Sequence, residues 1–397
     1  MKYCNFCGRP ETVVSLMMHG NDGCICEECA ELAKTYINEN KNTAFKKSLT
    51  DVPKPTEIKE FLDQYVIGQD AAKERISVAV YNHYKRISSQ NIIDDVEIEK
   101  SNCLMLGNTG TGKTLIAKTI AKMLDVPFAI VDCTSLTQAG YVGDDVETIL
   151  VRLLQAADYN IERAEQGIIF IDEIDKIGRK GANPSVTRDV SGEGVQQALL
   201  KIIEGSVVGV PPQGGRKHPE QPLIYINTKN ILFICGGAFE GIDKKIEARY
   251  NVHAIGFNAI NSEKNFNKEN PLKHVSPLDL KSFGIIPELI GRLPVITYMD
   301  ELDKKSLRKI LTEPKNALVK QYKKLLLLDG IELTFDNKVY DYIVDKAIES
   351  KLGARGLRLI MEDLMNKAMF TLPAQNITSF NVTLKYAKNI LEPITYK

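Results

Sequence analysis

The chain has no excess of either charge. It carries 51 Lys and Arg against 51 Asp and Glu, so its balance favours neither nucleic-acid phosphates nor an anionic membrane. It has no internal repeats and no long apolar run. No N-terminal stretch reads as a secretion signal and no segment approaches membrane-spanning length, which points to a cytoplasmic chain with no nucleic-acid or membrane partner. Without a secretion signal, disulfides are not expected either. Yet there are eight cysteines, five of them within the first 29 residues, and such clustering points to metal. Cys103, Cys133 and Cys235 lie apart in apolar strand-like runs and read as small core residues.

At 397 residues the chain can hold two or three domains. Residues 1–40 form a small unit, 41–56 a polar Lys- and Pro-containing linker, 57–299 an alternation of strand-like and helical segments, and 300–397 a mostly helical remainder. The expected strands are Asn102–Leu106, Phe128–Asp132, Ile168–Asp172, Asn230–Cys235 and Pro294–Tyr298, with short ones near Ile331–Phe335 and Phe380–Lys385. Helical patterns between the first five predict βαβ units. The fold class is therefore α/β, with a doubly wound parallel sheet in the large domain and an α+β small domain. Asn258–Lys273, rich in Asn, Lys and Glu, reads as a surface loop.

In the first unit, Cys4-x-x-Cys7 and Cys26-x-x-Cys29 are two knuckles 18 residues apart. Each brings two thiolates to one ion, and four close a tetrahedral structural Zn²⁺ site. Cys24 competes with this pairing through Cys24-x-Cys26; Cys26 with Cys29 is preferred because it mirrors the first knuckle. Lys2, Arg9 and Lys34 against Glu11, Asp22, Glu27, Glu28, Glu31 and Glu39 leave a net charge of −3 over residues 1–40. Four thiolates and one Zn²⁺ add a further −2, so phosphates are repelled. The apolar run Val13-Val14 and Leu16-Met17-Met18 fits protein contact or a minimal core around the metal equally well.

The most specific motif is Gly107-Asn108-Thr109-Gly110-Thr111-Gly112-Lys113-Thr114, which fits the phosphate-loop pattern G-x-x-x-x-G-K-[ST] at every position. Backbone N–H groups of Asn108 to Leu115 can close on phosphates, Lys113 supplies a point charge, and Thr114 reaches a Mg²⁺ ion. A buried strand precedes the loop, and helical spacing runs from Thr114 to Leu124. Ile168–Ile171 is an apolar strand ending in Asp172 and Glu173. The first acid can hold Mg²⁺ through water, and the second can activate the attacking water. The pair follows Lys113 by 59 residues, a natural distance to the next strand but one. Arg292 before a strand and Arg355 at a helix start are candidates for charge stabilisation; taken singly, each reads as a surface or salt-bridging residue.

With these residues assembled, the chain resembles the ClpX family of AAA+ unfoldases, which feed the ClpP peptidase, over essentially its whole length. The resemblance implies a zinc domain at Cys4, Cys7, Cys26 and Cys29, and adenine packing by the segment Tyr65-Val66-Ile67-Gly68-Gln69, with Val66 and Ile67 at the nucleotide. It makes Gly107–Thr114 and Asp172-Glu173 the Walker A and B motifs. Arg292 becomes an arginine finger acting in trans, and Arg355 a sensor of nucleotide. Gly140-Tyr141-Val142-Gly143 matches the pore loop that grips polypeptide through Tyr141 and Val142, and 179–190 matches a second pore loop. Arg216-Lys217-His218 matches the charged loop at the channel entrance, and Ile255-Gly256-Phe257 the loop that docks on ClpP. It further implies ATP, Mg²⁺ and Zn²⁺ as ligands, a homo-hexamer, self-association of the zinc domain, and protein substrates and adaptors as partners. Read without the family, Tyr141 is a turn residue, Arg216–His218 a solvated loop tip and Ile255–Phe257 a loop folded on its own domain. Rival readings are an HslU-type unfoldase, a nucleic-acid AAA+ machine, and an ATP-gated scaffold. The zinc unit with Ile255–Phe257, the acidic finger in a neutral chain, and intact Lys113, Asp172 and Glu173 speak against them in turn.

Overall fold

The computed structural model describes residues 2–20, 23–36, 52–89, 96, 98–137, 144–178, 192–212, 222–253, 270–350, 352–375 and 377–392. They fall into two compact units, Met1–Val52 and Pro53–Lys397. In the first, an antiparallel hairpin pairs Met17–His19 with Cys24–Cys26, Met17 facing Cys26 and His19 facing Cys24. Helical residues 27–36 follow. Asn5 joins the hairpin to the first knuckle: its N–H donates to the Cys24 carbonyl at 2.8 Å and its Oδ1 accepts the Cys24 N–H at 2.7 Å.

The second unit opens with α1 (Pro55–Asp63) and α2 (Asp70–Ser89). Pro55 at the first helical position has no N–H to leave unpaired, and Glu57 returns its carboxylate to the Lys54 N–H at 2.9 Å. The helix thus begins inside the stretch read as linker. Five parallel strands then form one sheet: β1 (Cys103–Leu106), β2 (Phe128–Asp132), β3 (Ile168–Asp172), β4 (Leu232–Gly237) and β5 (Val295–Tyr298), in the order β5-β1-β4-β3-β2. The central strands β1 and β4 are buried at every residue, as the two-sided burial of parallel sheets requires. At the edge, β2 alternates buried with exposed or half-buried positions. Helices α3 (Lys113–Leu124) and α4 (Glu193–Glu204) belong to this region, and one core extends from Leu104 to Leu293.

A second core gathers Leu307 to Leu391 around α5 (Ala354–Thr371), which buries Leu357, Ile360, Met361, Leu364, Met365 and Ala368 at helical spacing. Two short parallel strands, Glu332–Phe335 and Ser379–Val382, complete it. Two expected strands have bounds shifted by more than one residue. The segment expected as Asn230–Cys235 runs from Leu232 to Gly237, because Asn227 caps a 3₁₀ turn at Thr228–Asn230 through the Lys229 N–H at 3.0 Å. The strand expected over Phe380–Lys385 stops at Val382, because Thr383 Oγ1 accepts the Tyr386 N–H and starts the helix Leu384–Leu391. Of the expected loop Asn258–Lys273, the described end holds a 3₁₀ turn at Pro271–His274. Among the described residues no helix is long and apolar enough to cross a membrane.

Candidate functional site

In the first unit the sulfurs of Cys4, Cys7, Cys26 and Cys29 all lie within 4.8 Å of one another. The knuckle geometry is held by the Gly8 N–H on the Cys4 carbonyl at 2.8 Å, and the Cys26 N–H points at the Cys4 sulfur at 3.3 Å. A backbone N–H of Cys7 draws the Cys4 thiol down to about 6, while the Cys7 side chain pushes Cys29 up to about 12. Four thiolates this close repel one another, so the full set is stable only around a cation. This fits Zn²⁺, which supplies structural charge and chain closure. Cys24 lies outside the quartet. Its sulfur faces His19 Nδ1 at 3.1 Å, and His19 Nε2 faces Glu11 at 3.2 Å. The apolar run divides. Met17 is buried and Val14 packs on it, whereas Val13, Leu16 and Met18 are exposed.

In the second unit the phosphate loop joins the C-terminal end of β1 to α3. Gly107 has φ 153°, and a Cβ there would stand 2.6 Å from Met299 Cβ. Gly110 has φ 83°, with the Leu352 carbonyl 3.1 Å from where its Cβ would be. Only glycine meets both demands. The Lys113 side chain is buried and donates to the carbonyls of Gly107 and Asn108. Burial pushes its ammonium below the ordinary value, and Asp172, Asp175 and Glu173 oppose that shift. At the end of the neighbouring strand but one, Asp172 Oδ2 accepts the Thr114 hydroxyl at 3.3 Å. Glu173 follows with φ 56°, a left-handed backbone uncommon outside glycine, and its side chain is exposed.

These groups line one cavity of about 580 Å³, closed on its other side by residues of the second core, Ala354, Arg355 and Arg358 among them. It brings together Thr109, Gly110, Gly112, Lys113, Thr114, Leu115, Asp172, Glu173 and Arg355 of the expected site. The Asn108 and Thr111 side chains turn elsewhere. Asn108 donates to Glu301 at 2.9 Å, and the Thr111 hydroxyl to the Asn108 carbonyl at 2.8 Å. Val66 is buried, 3.9 Å from where a Cβ on Gly112 would sit, while Ile67 lines a separate cavity of about 230 Å³. Tyr65, rather than Ile67, reaches the large cavity. Arg292 is not among its lining residues; its guanidinium pairs with Glu204. Tyr141, Val142, Arg216, Lys217, His218, Ile255, Gly256, Phe257 and the 179–190 segment lie outside the described residues.

The cavity also holds residues that sequence reasoning missed. Asp175 is buried and accepts the Ala238 N–H at 3.1 Å, tying the end of β4 to that of β3; a third acid three positions after Asp172 was a readable signal. Arg358 stands one helical turn beyond Arg355, and that spacing was readable too. Ile310, Leu318 and Gln321 arrive from other helices of the second core and carry no local sequence mark.

The cavity fits a nucleoside triphosphate with Mg²⁺: glycine N–H groups and Lys113 for phosphates, Thr114 and Asp172 for the ion, and apolar surface from Tyr65, Ile310 and Leu318. Three family models match the chain: an AAA domain of the Cdc48 subfamily over residues 98–296, the C-terminal D2-small domain of ClpB protein over 302–385, and a ClpX C4-type zinc finger over 2–39. Its curated relatives include proteins named ATP-dependent Clp protease ATP-binding subunit ClpX. One from Bacteroides thetaiotaomicron is 61% identical, over 98% of this chain and 96% of the relative. One from Porphyromonas gingivalis is 58% identical over 98% and 95%, and one from Treponema denticola 55% over 94% and 90%. Identity at this level along nearly the whole length, together with the match to the ClpX C4-type zinc finger, places the chain in the ClpX family of AAA+ ATPases, with ATP, Mg²⁺ and Zn²⁺ as its ligands.

Proposed function

We propose that the protein is an ATP-driven protein unfoldase and translocase that works as a homo-hexameric ring and feeds a ClpP peptidase. The observation that carries the reading is the single cavity shared by Lys113, Thr114, Asp172, Glu173 and Arg355, where two separately cored regions meet on one nucleotide. Residues 57–299 form the large ATPase domain in this account and 300–397 the small one.

Lys113 and the loop N–H groups hold the β- and γ-phosphates, and Thr114 and Asp172 hold the metal. Mg²⁺, when bound, neutralises charge building on the phosphates. Glu173 orients water and takes its proton. Its left-handed backbone turns the carboxylate off the line of β3 and into the cavity. Arg355, from the second core, contacts the nucleotide and is displaced when the γ-phosphate leaves, so turnover moves one core against the other. Arg292 lies outside its own subunit's cavity, as an arginine completing a neighbour's site would.

The load is assigned by resemblance. Tyr141 and Val142 grip polypeptide, an aromatic and a β-branched residue between glycines making a sequence-tolerant paddle. Arg216, Lys217 and His218 attract acidic groups at the channel entrance, and Ile255, Gly256 and Phe257 anchor in the peptidase. The zinc unit's exposed Val13, Leu16 and Met18, with Phe6 and Leu32, suit self-association or contact with substrates and adaptors. A folded reporter incubated with ATP, with and without added ClpP, tests this: unfolding in both and degradation only with ClpP is expected. A reporter untouched in both defeats the reading.

A further inference from the structure

Arg292 is held at two levels. Its carbonyl accepts Asn102 Nδ2 at 3.0 Å, and the same buried amide accepts the Phe233 N–H at 3.2 Å. The backbone of Arg292 is therefore fixed to the start of β1 and to β4, in the interior of the sheet. Its guanidinium is fixed from outside: Nε donates to Glu204 Oε1 at 3.0 Å, and one Nη lies 2.9 Å from the same oxygen in an ion pair. One edge of the fork is taken and the end-on edge is left for another acceptor.

Glu204 is also an acid in an unfavourable place. It is the last residue of α4, where the helix dipole favours a cation. The pair adds little to folding, since both side chains are about half exposed, 53% for Arg292 and 41% for Glu204. A carboxylate that local electrostatics disfavours and that stabilises little is explained by what it does to its partner. It removes rotamer freedom from a long side chain whose reacting end must meet charge developing on a phosphoryl group.

We infer that Glu204 is a positioning residue for catalysis: it holds the Arg292 guanidinium extended, before a neighbouring subunit presents ATP, with its free edge directed outward. The inference rests on the reading of Arg292 as a trans-acting arginine. A group that acts only on developing charge changes kcat and leaves KM alone.

Steady-state ATP hydrolysis by full-length, zinc-loaded protein tests it. Arg292→Ala should lose about a hundredfold or more in kcat. Glu204→Ala should lose about fivefold in kcat, with KM for ATP within about twofold of wild type. Glu204→Gln should keep most of the activity, because its amide oxygen still accepts the Arg292 Nε–H. The double variant Glu204→Ala, Arg292→Ala should be no slower than Arg292→Ala alone. The inference is overturned by wild-type kcat in Glu204→Ala, by a raised KM alone, by a Glu204→Gln enzyme as slow as the alanine variant, or by additive losses in the double variant. Wild-type turnover by Arg292→Ala would instead remove the role of Arg292, and that of Glu204 with it.

Discussion

Among the described residues of the first unit, the buried apolar set is Cys4, Met17 and Cys26, and two of these three are metal ligands. In the ATPase unit, Ile168–Ile171 alone are four fully buried side chains in one strand, and Ile169 and Ile171 belong to a core that runs to Leu293. Both units present charged or sulfur ligands at fixed spacing, but they hold them differently. The small unit has too little interior to fix a chain, so the ion that its thiolates bind also supplies its fold. The large unit folds on its sheet and can leave Lys113, Asp172 and Glu173 set for a ligand that comes and goes.

Removing the metal gives the largest separation of the two. A Cys26→Ser variant, or the wild type with a strong chelator, should lose the fold of residues 2–36 outright, since structural zinc contributes on the order of 10 kcal/mol. ATP binding at the Lys113 cavity should persist. Proteolysis of the N-terminal segment beside nucleotide titration reads both, and a folded apo finger or a lost ATP site would break the contrast. Phe170→Ala is the converse. Phe170 is fully buried, and its ring fills the space a side chain on Gly236 would need. Its loss should cost about 3–5 kcal/mol of the ATPase unit's stability in urea, with one zinc per chain retained.

How far the sequence could be read follows from where each constraint lives. The knuckles and the phosphate loop are local demands, two thiolates to one ion and glycines against Met299 and Leu352, so spacing alone disclosed them. The central strands were legible because burial on both faces leaves unbroken apolar runs. Strand ends were less so. Thr383 and Asn227 stop or delay strands by side-chain capping, which competes with strand-like composition. Ile310, Leu318 and Gln321 reach the cavity only because the second core packs against the phosphate loop, so nothing in their own stretch of sequence marks them. Cys24 was ambiguous because register, not spacing, places it opposite His19.

A smaller effect concerns pH. Burial, reinforced by Arg86 and Lys100, pushes His83 down to about 3 from an ordinary value of 6.5. The unfolded chain then binds a proton that the folded one refuses. ATPase-unit stability should be unaffected by His83 above pH 6.5 and should fall by about 1.4 kcal/mol per unit as pH drops from there towards 3. Urea midpoints at pH 7.5, 6.5 and 5.5 would show it, and His83→Gln should flatten the slope; an unchanged slope would place its origin elsewhere. The smallest effect is expected from Cys24→Ser. It removes a contact to His19 and should leave zinc stoichiometry at one; loss of the metal would return Cys24 to the ligand set.

The central claim is that the cavity between the two cores turns ATP hydrolysis into pulling on a polypeptide. The most direct measurement is ATP binding, ATP turnover and reporter unfolding in full-length Glu173→Gln beside wild type. ATP should bind the variant as tightly as wild type, turnover should fall by a factor of about 10²–10⁴, and unfolding should stop with it. Hydrolysis at the wild-type rate, or unfolding that continues without hydrolysis, would contradict the account.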